Sequence, residues 1–197
     1  MAKGPRYRVS YRRRREKKTD YQARRTMATA GIPRFVVRPS NKNIVIQIVD
    51  SEIEGDRVLT QTSSAELVKR FGWLGGRKNT PAAYLLGLIA GYKAVAGGIE
   101  AAILDVGLKR PTKGSKLFAA VKGAMDAGLK IPCGSGVVPG AERIEGATIA
   151  EYAQRLMEDL PAYERRFSDY LRRGLRPERL TDHFGEVKAK IMEAFAG

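Results

Sequence analysis

The chain has 197 residues, with 36 Lys or Arg against 21 Asp or Glu and a net charge of +15. Its 43% hydrophobic content supplies a real core, at a length below the roughly 250 residues where chains split into domains, so a wholly disordered basic protein is excluded. One Cys and one His exclude an intrachain disulfide framework and a zinc cluster, and the charge directs attention to a polyanionic partner.

The charge is concentrated at one end. Residues 1–42 carry +12 and the remaining 155 residues only +3. The opening, Lys3-Gly4-Pro5-Arg6 and then Arg12 to Arg15, lacks the apolar stretch of a secretory signal. An Arg-rich presequence fits poorly with Lys17-Lys18-Thr19-Asp20. The most apolar stretch, Ala82 to Ala96, is broken by Gly87, Gly91, Tyr92 and Lys93 and is too short to span a bilayer. The expectation is a soluble, intracellular protein with no membrane partner.

Residues 1–33 form a basic arm. Thr19-Asp20-Tyr21-Gln22 reads as a capping box opening a short helix that ends near Ala30-Gly31. Pro33 and Pro39 bracket the strand-like Arg34-Phe35-Val36-Val37-Arg38. Asn43 to Asp50 and Arg57 to Thr62 follow as strands around a turn at Ser51 to Asp56, which makes an antiparallel meander. Helices are expected at Ser64 to Phe71 and Thr80 to Ala96, the second capped by Thr80 with Pro81 in its first turn. Gly87 and Gly91 share a face that would let this helix approach a sheet closely. Ile99 to Asp105 reads as a buried strand, and the preceding crossover implies parallel pairing. Ser115 to Ala127 is a further helix, and Lys130 to Cys133 a candidate last strand. The core thus spans 34–133 as a three-layer α/β arrangement with a mixed sheet.

A Gly/Pro-rich linker, 134–147, separates this core from a helical extension, 148–197. Thr148-Ile149-Ala150-Glu151 reads as a second capping box for a helix ended by Pro161. Phe167, Tyr170 and Leu171 mark the next helix, and Phe184, Val187, Ile191 and Phe195 the last.

The arm carries the strongest chemical signal. Arg6, Arg8, Arg12, Arg13, Arg14, Arg15, Lys17, Lys18, Arg24 and Arg25 concentrate phosphate-pairing donors. Interleaved with them, Tyr7, Tyr11 and Tyr21 offer rings for stacking on unpaired bases. A nuclear-import or solubilising run is the plainer alternative. Arg34, Arg38, Ser40, Asn41 and Lys42, at the first strand and turn, would extend the same surface onto the core. The loop Gly107 to Lys116 places Lys109, Arg110, Lys113 and Lys116 between a strand end and a helix N-terminus, either as an anion site or as a solvated loop. Arg165, Arg166, Arg172, Arg173 and Arg176 have acids interspersed and fit a solvated helix face as well as a second RNA contact.

Arg12 to Arg15 followed by Lys18-Thr19-Asp20-Tyr21 resembles the opening of the archaeal and eukaryotic 5S-rRNA-binding proteins of the large ribosomal subunit. Arg38-Pro39-Ser40-Asn41-Lys42-Asn43-Ile44, Leu104-Asp105-Val106-Gly107 and Ala119 to Leu129 agree with the same family. The likeness spans about residues 5–140, and the helical tail resembles the extension that shorter bacterial members lack. The resemblance implies a ribonuclease-H-like fold and binding of 5S rRNA. It further implies that the protein attaches 5S rRNA to the large-subunit, 23S-type rRNA in the central protuberance, beside the other 5S-binding protein. No cofactor, metal or small-molecule substrate is implied.

Because that fold also hosts nucleases, carboxylates matter. Two-metal cleavage needs acids converging on the sheet, whereas the first strand has none and Asp50 and Asp105 close other strands. Asp105 is expected as a turn or cap residue before Gly107. Gly134 to Gly140 resembles a dinucleotide fingerprint but carries Pro139 at the third glycine position. His183 is expected as a packed or surface side chain, and Cys133 as a small buried hydrophobe.

Overall fold

A computed structural model describes residues 4–195, so residues 1–3 of the arm and 196–197 of the tail lie outside the described part. The arm contains two short helices, α1 (Arg12–Arg15) and α2 (Tyr21–Ala28). The residue that opens α2 is Asp20, whose carboxylate accepts the amides of Gln22 and Ala23 at 2.9 and 3.1 Å. Thr19, expected to share that role, accepts a hydrogen bond from Arg13 Nε instead.

Strands β1 (Arg34–Pro39), β2 (Ile44–Ser51) and β3 (Asp56–Ser63) form the antiparallel meander. After helices α3 (Ser64–Phe71) and α4 (Thr80–Ala96), strand β4 (Ile103–Asp105) joins β1 in parallel, giving the order β3-β2-β1-β4. The mixed sheet of an α/β protein is therefore as the sequence implied. Alternation along the strands buries Phe35, Val37, Ile44, Ile46 and Ile48 on one face. The same period puts Arg34, Val36, Arg38, Gln47, Val49 and Asp105 on the other face, where α2 lies over them.

From Pro81 to Gly91 helix α4 is apolar all round because that part is buried all round. It meets the sheet on one side and α5 (Lys116–Asp126) on another. Its cap is Asn79, which accepts the Ala82 amide at 2.9 Å, rather than Thr80, and Pro81 sits in the first turn as expected. Gly87 and Gly91 face α5, not the sheet. A Cβ on Gly87 would fall onto the Ala120 carbonyl, and one on Gly123 onto that of Tyr84. Reciprocal glycines thus let the two backbones touch.

The apolar run from Ile99 is strand only from Ile103. Ile99 donates to Ala94 at the end of α4, while Ala101 bridges Lys130 in isolation. Lys130 to Cys133 does not continue as a strand, since Pro132 has no N–H to offer a ladder.

Within 134–147 the chain is ordered into a 3-10 turn at Ser135–Val137 and helix α6 (Ala141–Glu145). Gly146, at φ +92°, closes α6 and opens α7 (Ala147–Leu156), so Thr148 lies inside a helix and makes no cap. Pro161 does not end α7. It sits in the first turn of α8 (Leu160–Arg172), whose cap is Asp159. Helix α9 (Leu180–Phe195) follows. Leu180, Phe184, Val187 and Ile191 are buried in the same core as the sheet and α4, so the helical extension packs against the α/β unit. His183 takes part in that packing: its ring stacks on Trp73 and its Nε2 accepts the Leu74 amide at 3.0 Å. Arg173 adds a donor to the Gly75 carbonyl at 2.7 Å. Cys133 is half-buried.

Candidate nucleic-acid interface

The outer face of the sheet carries a ladder of alternating charges. Arg24 on α2 pairs with Asp56 at 2.8 Å, and Asp56 with Arg34 at 2.7 Å. Arg34 then pairs with Asp105 at 3.0 Å, and Asp105 with Arg38 at 2.8 Å. The ladder joins the arm to β3, β1 and β4. Arg34 is 3% exposed and Asp105 4%, so their contact is a buried one, while Arg24 and Arg38 face solvent. Arg34 Nη2 touches Asp56 without hydrogen-bond alignment, and its Nε has no protein partner.

Asp105 is therefore more than the turn residue expected from sequence. Its Oδ1 does accept the Gly107 amide at 2.8 Å, but its carboxylate also holds both arginines. Burial alone would push its pKa up. The hydrogen bond and charge of Arg38, the Gly107 amide and the Arg34 charge outweigh burial and hold it below the ordinary value of 3.8. Gly107 suits its φ of +61°, which side chains rarely adopt, and a Cβ there would lie 3.1 Å from the Arg38 guanidinium carbon and press on the ladder. Arg34 is thereby withdrawn from the surface it was expected to extend, since its guanidinium serves the ladder.

Above the ladder, α2 and the sheet enclose a cavity of about 410 Å³. Ala23, Met27, Val36, Val49 and Val58 supply apolar walls, and Arg13, Lys18, Arg24 and Lys109 a basic rim. The other arm bases are exposed. Among the described residues Arg6, Arg8, Arg13, Arg14, Arg15, Lys17 and Arg25 make no ion pair, whereas Glu16 takes Arg12 and Lys18. Tyr7 and Tyr11 are exposed, and the Tyr11 and Tyr21 rings lie 5.2 Å apart, tilted by 39°.

The structure brings the basic loop to the same side. Leu108 and Lys109 border the arm through Arg13, Arg14, Lys17 and Lys18. Lys109, Arg110 and Lys116 share a second cavity with Ser40 and Asn41 from the β1–β2 turn. Lys42 and Lys113 are exposed and line neither cavity. Lys78, which sequence reading did not single out, completes that group, and its Nζ donates to the Asn41 carbonyl at 3.3 Å. The loop bearing it is held by Ser64, whose buried hydroxyl accepts the Ile44 amide at 2.8 Å and donates to the Arg77 carbonyl at 2.7 Å. Nothing local in the Gly75-Gly76-Arg77-Lys78 stretch marks it, because its proximity to Asn41 exists only once α3 returns to the sheet.

Among the described residues no three His, Cys, Asp or Glu side chains group as metal ligands. The Asp105 carboxylate is engaged by two arginines, and Asp50 accepts its neighbour Ser51's amide.

Residues 5–98 and 96–134 match the family model described as ribosomal large subunit proteins 60S L5 and 50S L18. The chain is 54% identical over 197 residues to the large ribosomal subunit protein uL18 of Caldivirga maquilingensis, covering 100% of this chain and 95% of that protein. It is 52% identical over 196 residues to the protein of the same name from Staphylothermus marinus, covering 99% and 97%.

Proposed function

Starting from a chain that belongs to the L5/L18 family of large-subunit ribosomal proteins, we propose that it binds 5S rRNA and attaches it to the large-subunit rRNA in the central protuberance. The family is one of structural ribosomal proteins, so the chain is not an enzyme, and as a large-subunit protein it works on cytoplasmic ribosomes. One observation carries the finer reading. Bases without acidic partners, Arg13 from the arm, Lys78 from the α3–α4 loop and Lys109 and Arg110 from the β4–α5 loop, border two cavities that share Lys109. Charge in excess of the fold's own needs, gathered on one side, suits a phosphate backbone.

In this reading residues 1–33 are an RNA-binding arm and the ladder sets its angle of departure. Arg6 to Arg15 and Arg25 pair with phosphates. Tyr7 and Tyr11 have exposed rings available for bases. Arg38, Ser40, Asn41, Lys42, Lys109, Arg110 and Lys113 continue the contact on the core. The other 5S-binding protein is the neighbour expected beside it.

The test is a binding titration of 5S rRNA against a chain with Arg12, Arg13, Arg14 and Arg15 changed to Gln. If six to ten bases meet phosphates, affinity of the unaltered protein falls by about 10³ to 10⁵ between 50 and 200 mM salt, on the duplex scale. The altered chain should fold normally, bind far more weakly and show a shallower salt dependence. Unchanged affinity would remove the arm from the interface.

A further inference from the structure

We propose that the cavity between Lys78, Lys109, Ser115 and Lys116 is a phosphate-binding pocket that seats one backbone phosphate of rRNA. The proposal rests on the rRNA-binding reading above and adds a defined subsite to it. The cavity measures about 290 Å³ and no carboxylate lines it. Its three lysines come from three separate segments: the α3–α4 loop, the β4–α5 loop and the first turn of α5. Among the described residues none of the three is ion-paired. Folding has therefore assembled like charges with nothing to offset them.

Two further features aim at an anion. The Ser115 hydroxyl oxygen is buried and has no hydrogen-bond partner. It sits at the cap position of α5 without capping, which leaves it a donor for a ligand oxygen. Phe118 and Ala119 donate to the Ser115 carbonyl, so the amides of Lys116 and Leu117 stand outside the helix's own ladder. Burial first, and then the charges of Lys78 and Lys109, hold the Lys116 ammonium below its ordinary value of 10.5. A phosphate in the cavity reverses the electrostatic part of that penalty, so binding and full protonation of Lys116 favour one another.

The pocket lysines therefore act against the free protein and for the complex, a pattern that a structural role does not produce. The experiment compares three full-length variants, Lys78→Gln/Lys116→Gln, Ser115→Ala and Lys122→Gln. Lys122 lies on the same helix but is paired with Asp126 at 2.6 Å, away from the cavity. Each is titrated with 5S rRNA and with an unrelated RNA of equal length at several salt concentrations. The double variant should lose about tenfold in affinity and show a log–log salt slope shallower by roughly 0.7 to 0.9, the loss of one neutralised phosphate. Ser115→Ala should bind several-fold more weakly with the slope retained. Neither should melt below the unaltered protein.

A double variant that behaves like Lys122→Gln, or one that melts at lower temperature, overturns the pocket. Equal affinity of the unaltered protein for both RNAs counts against the 5S assignment and leaves the slope comparison valid on either RNA.

Discussion

Asp105→Asn tests the charge ladder at its most buried rung. The Asp105 and Arg34 side chains are each 4% exposed and 3.0 Å apart, so solvent screens their contact little. In the variant the amide oxygen keeps the place of Oδ1, where the Gly107 amide and Arg38 Nη2 arrive at 2.8 Å. The amide nitrogen then replaces Oδ2 and sets a donor against Arg34 Nη1. Removing one partner of a buried pair costs about 3 to 5 kcal/mol. The lower figure is expected, because Arg34 retains Asp56 at 2.7 Å. The Arg38 contact adds little, since that side chain is 43% exposed.

Urea unfolding should show a midpoint shift with unchanged slope, equivalent to about 3 kcal/mol. The double change Arg34→Met/Asp105→Leu should recover part of it, because replacing both charges leaves no buried ion alone. A loss under about 1 kcal/mol for Asp105→Asn would refute the reasoning, since it would place the pair in the range of solvent-exposed salt bridges.

Gly87→Ala should destabilise by at least about 3 kcal/mol, since its methyl meets backbone at Ala120 rather than a yielding side chain; thermal melting reads this directly. Arg24→Gln removes the arm's anchor to Asp56 while leaving the Arg34 contact in place, and because the Arg24 pair is part-exposed global stability should move by about 1 kcal/mol or less. The arm should nevertheless become the site of faster limited proteolysis, and an unchanged cleavage pattern would count against docking through Asp56. His183 is held below its ordinary pKa of 6.5 by burial, and by Lys190 against the opposing pull of Glu186. As pH falls through about 6.5 the unfolded chain takes up a proton more readily than the folded one, so stability falls until the folded side chain also protonates. His183→Gln should flatten that stretch of a stability–pH profile.

Most of the fold could be read along the chain because it rests on local rules. Alternation marked the meander of β1 to β3, and the crossover required β4 to be parallel. Cap assignments slipped by one residue at Asp20 and Asn79, where neighbouring Thr and Asp or Asn compete for the same amides. The larger misreadings concerned what a residue faces. Gly87 and Gly91 were legible as a small face, but helix α5 as its partner depends on how segments far apart in sequence, such as Gly87 and Ala120, pack. Arg34 reads as one more base in a basic run, and only the register of β1 against β4 sets it beside Asp105 and removes it from the surface.

The sequence by itself determined where the charge resides and what class of partner it suits, because net charge and its placement along the chain survive any folding. It also determined the order of strands and helices, through periodicity. Tertiary structure alone decided which charges are spent inside the fold and which remain for a ligand. Coulombic pairing depends on distances between segments far apart in sequence, so Arg34 was neutralised within the protein while Lys78 was carried to Lys109 and Lys116.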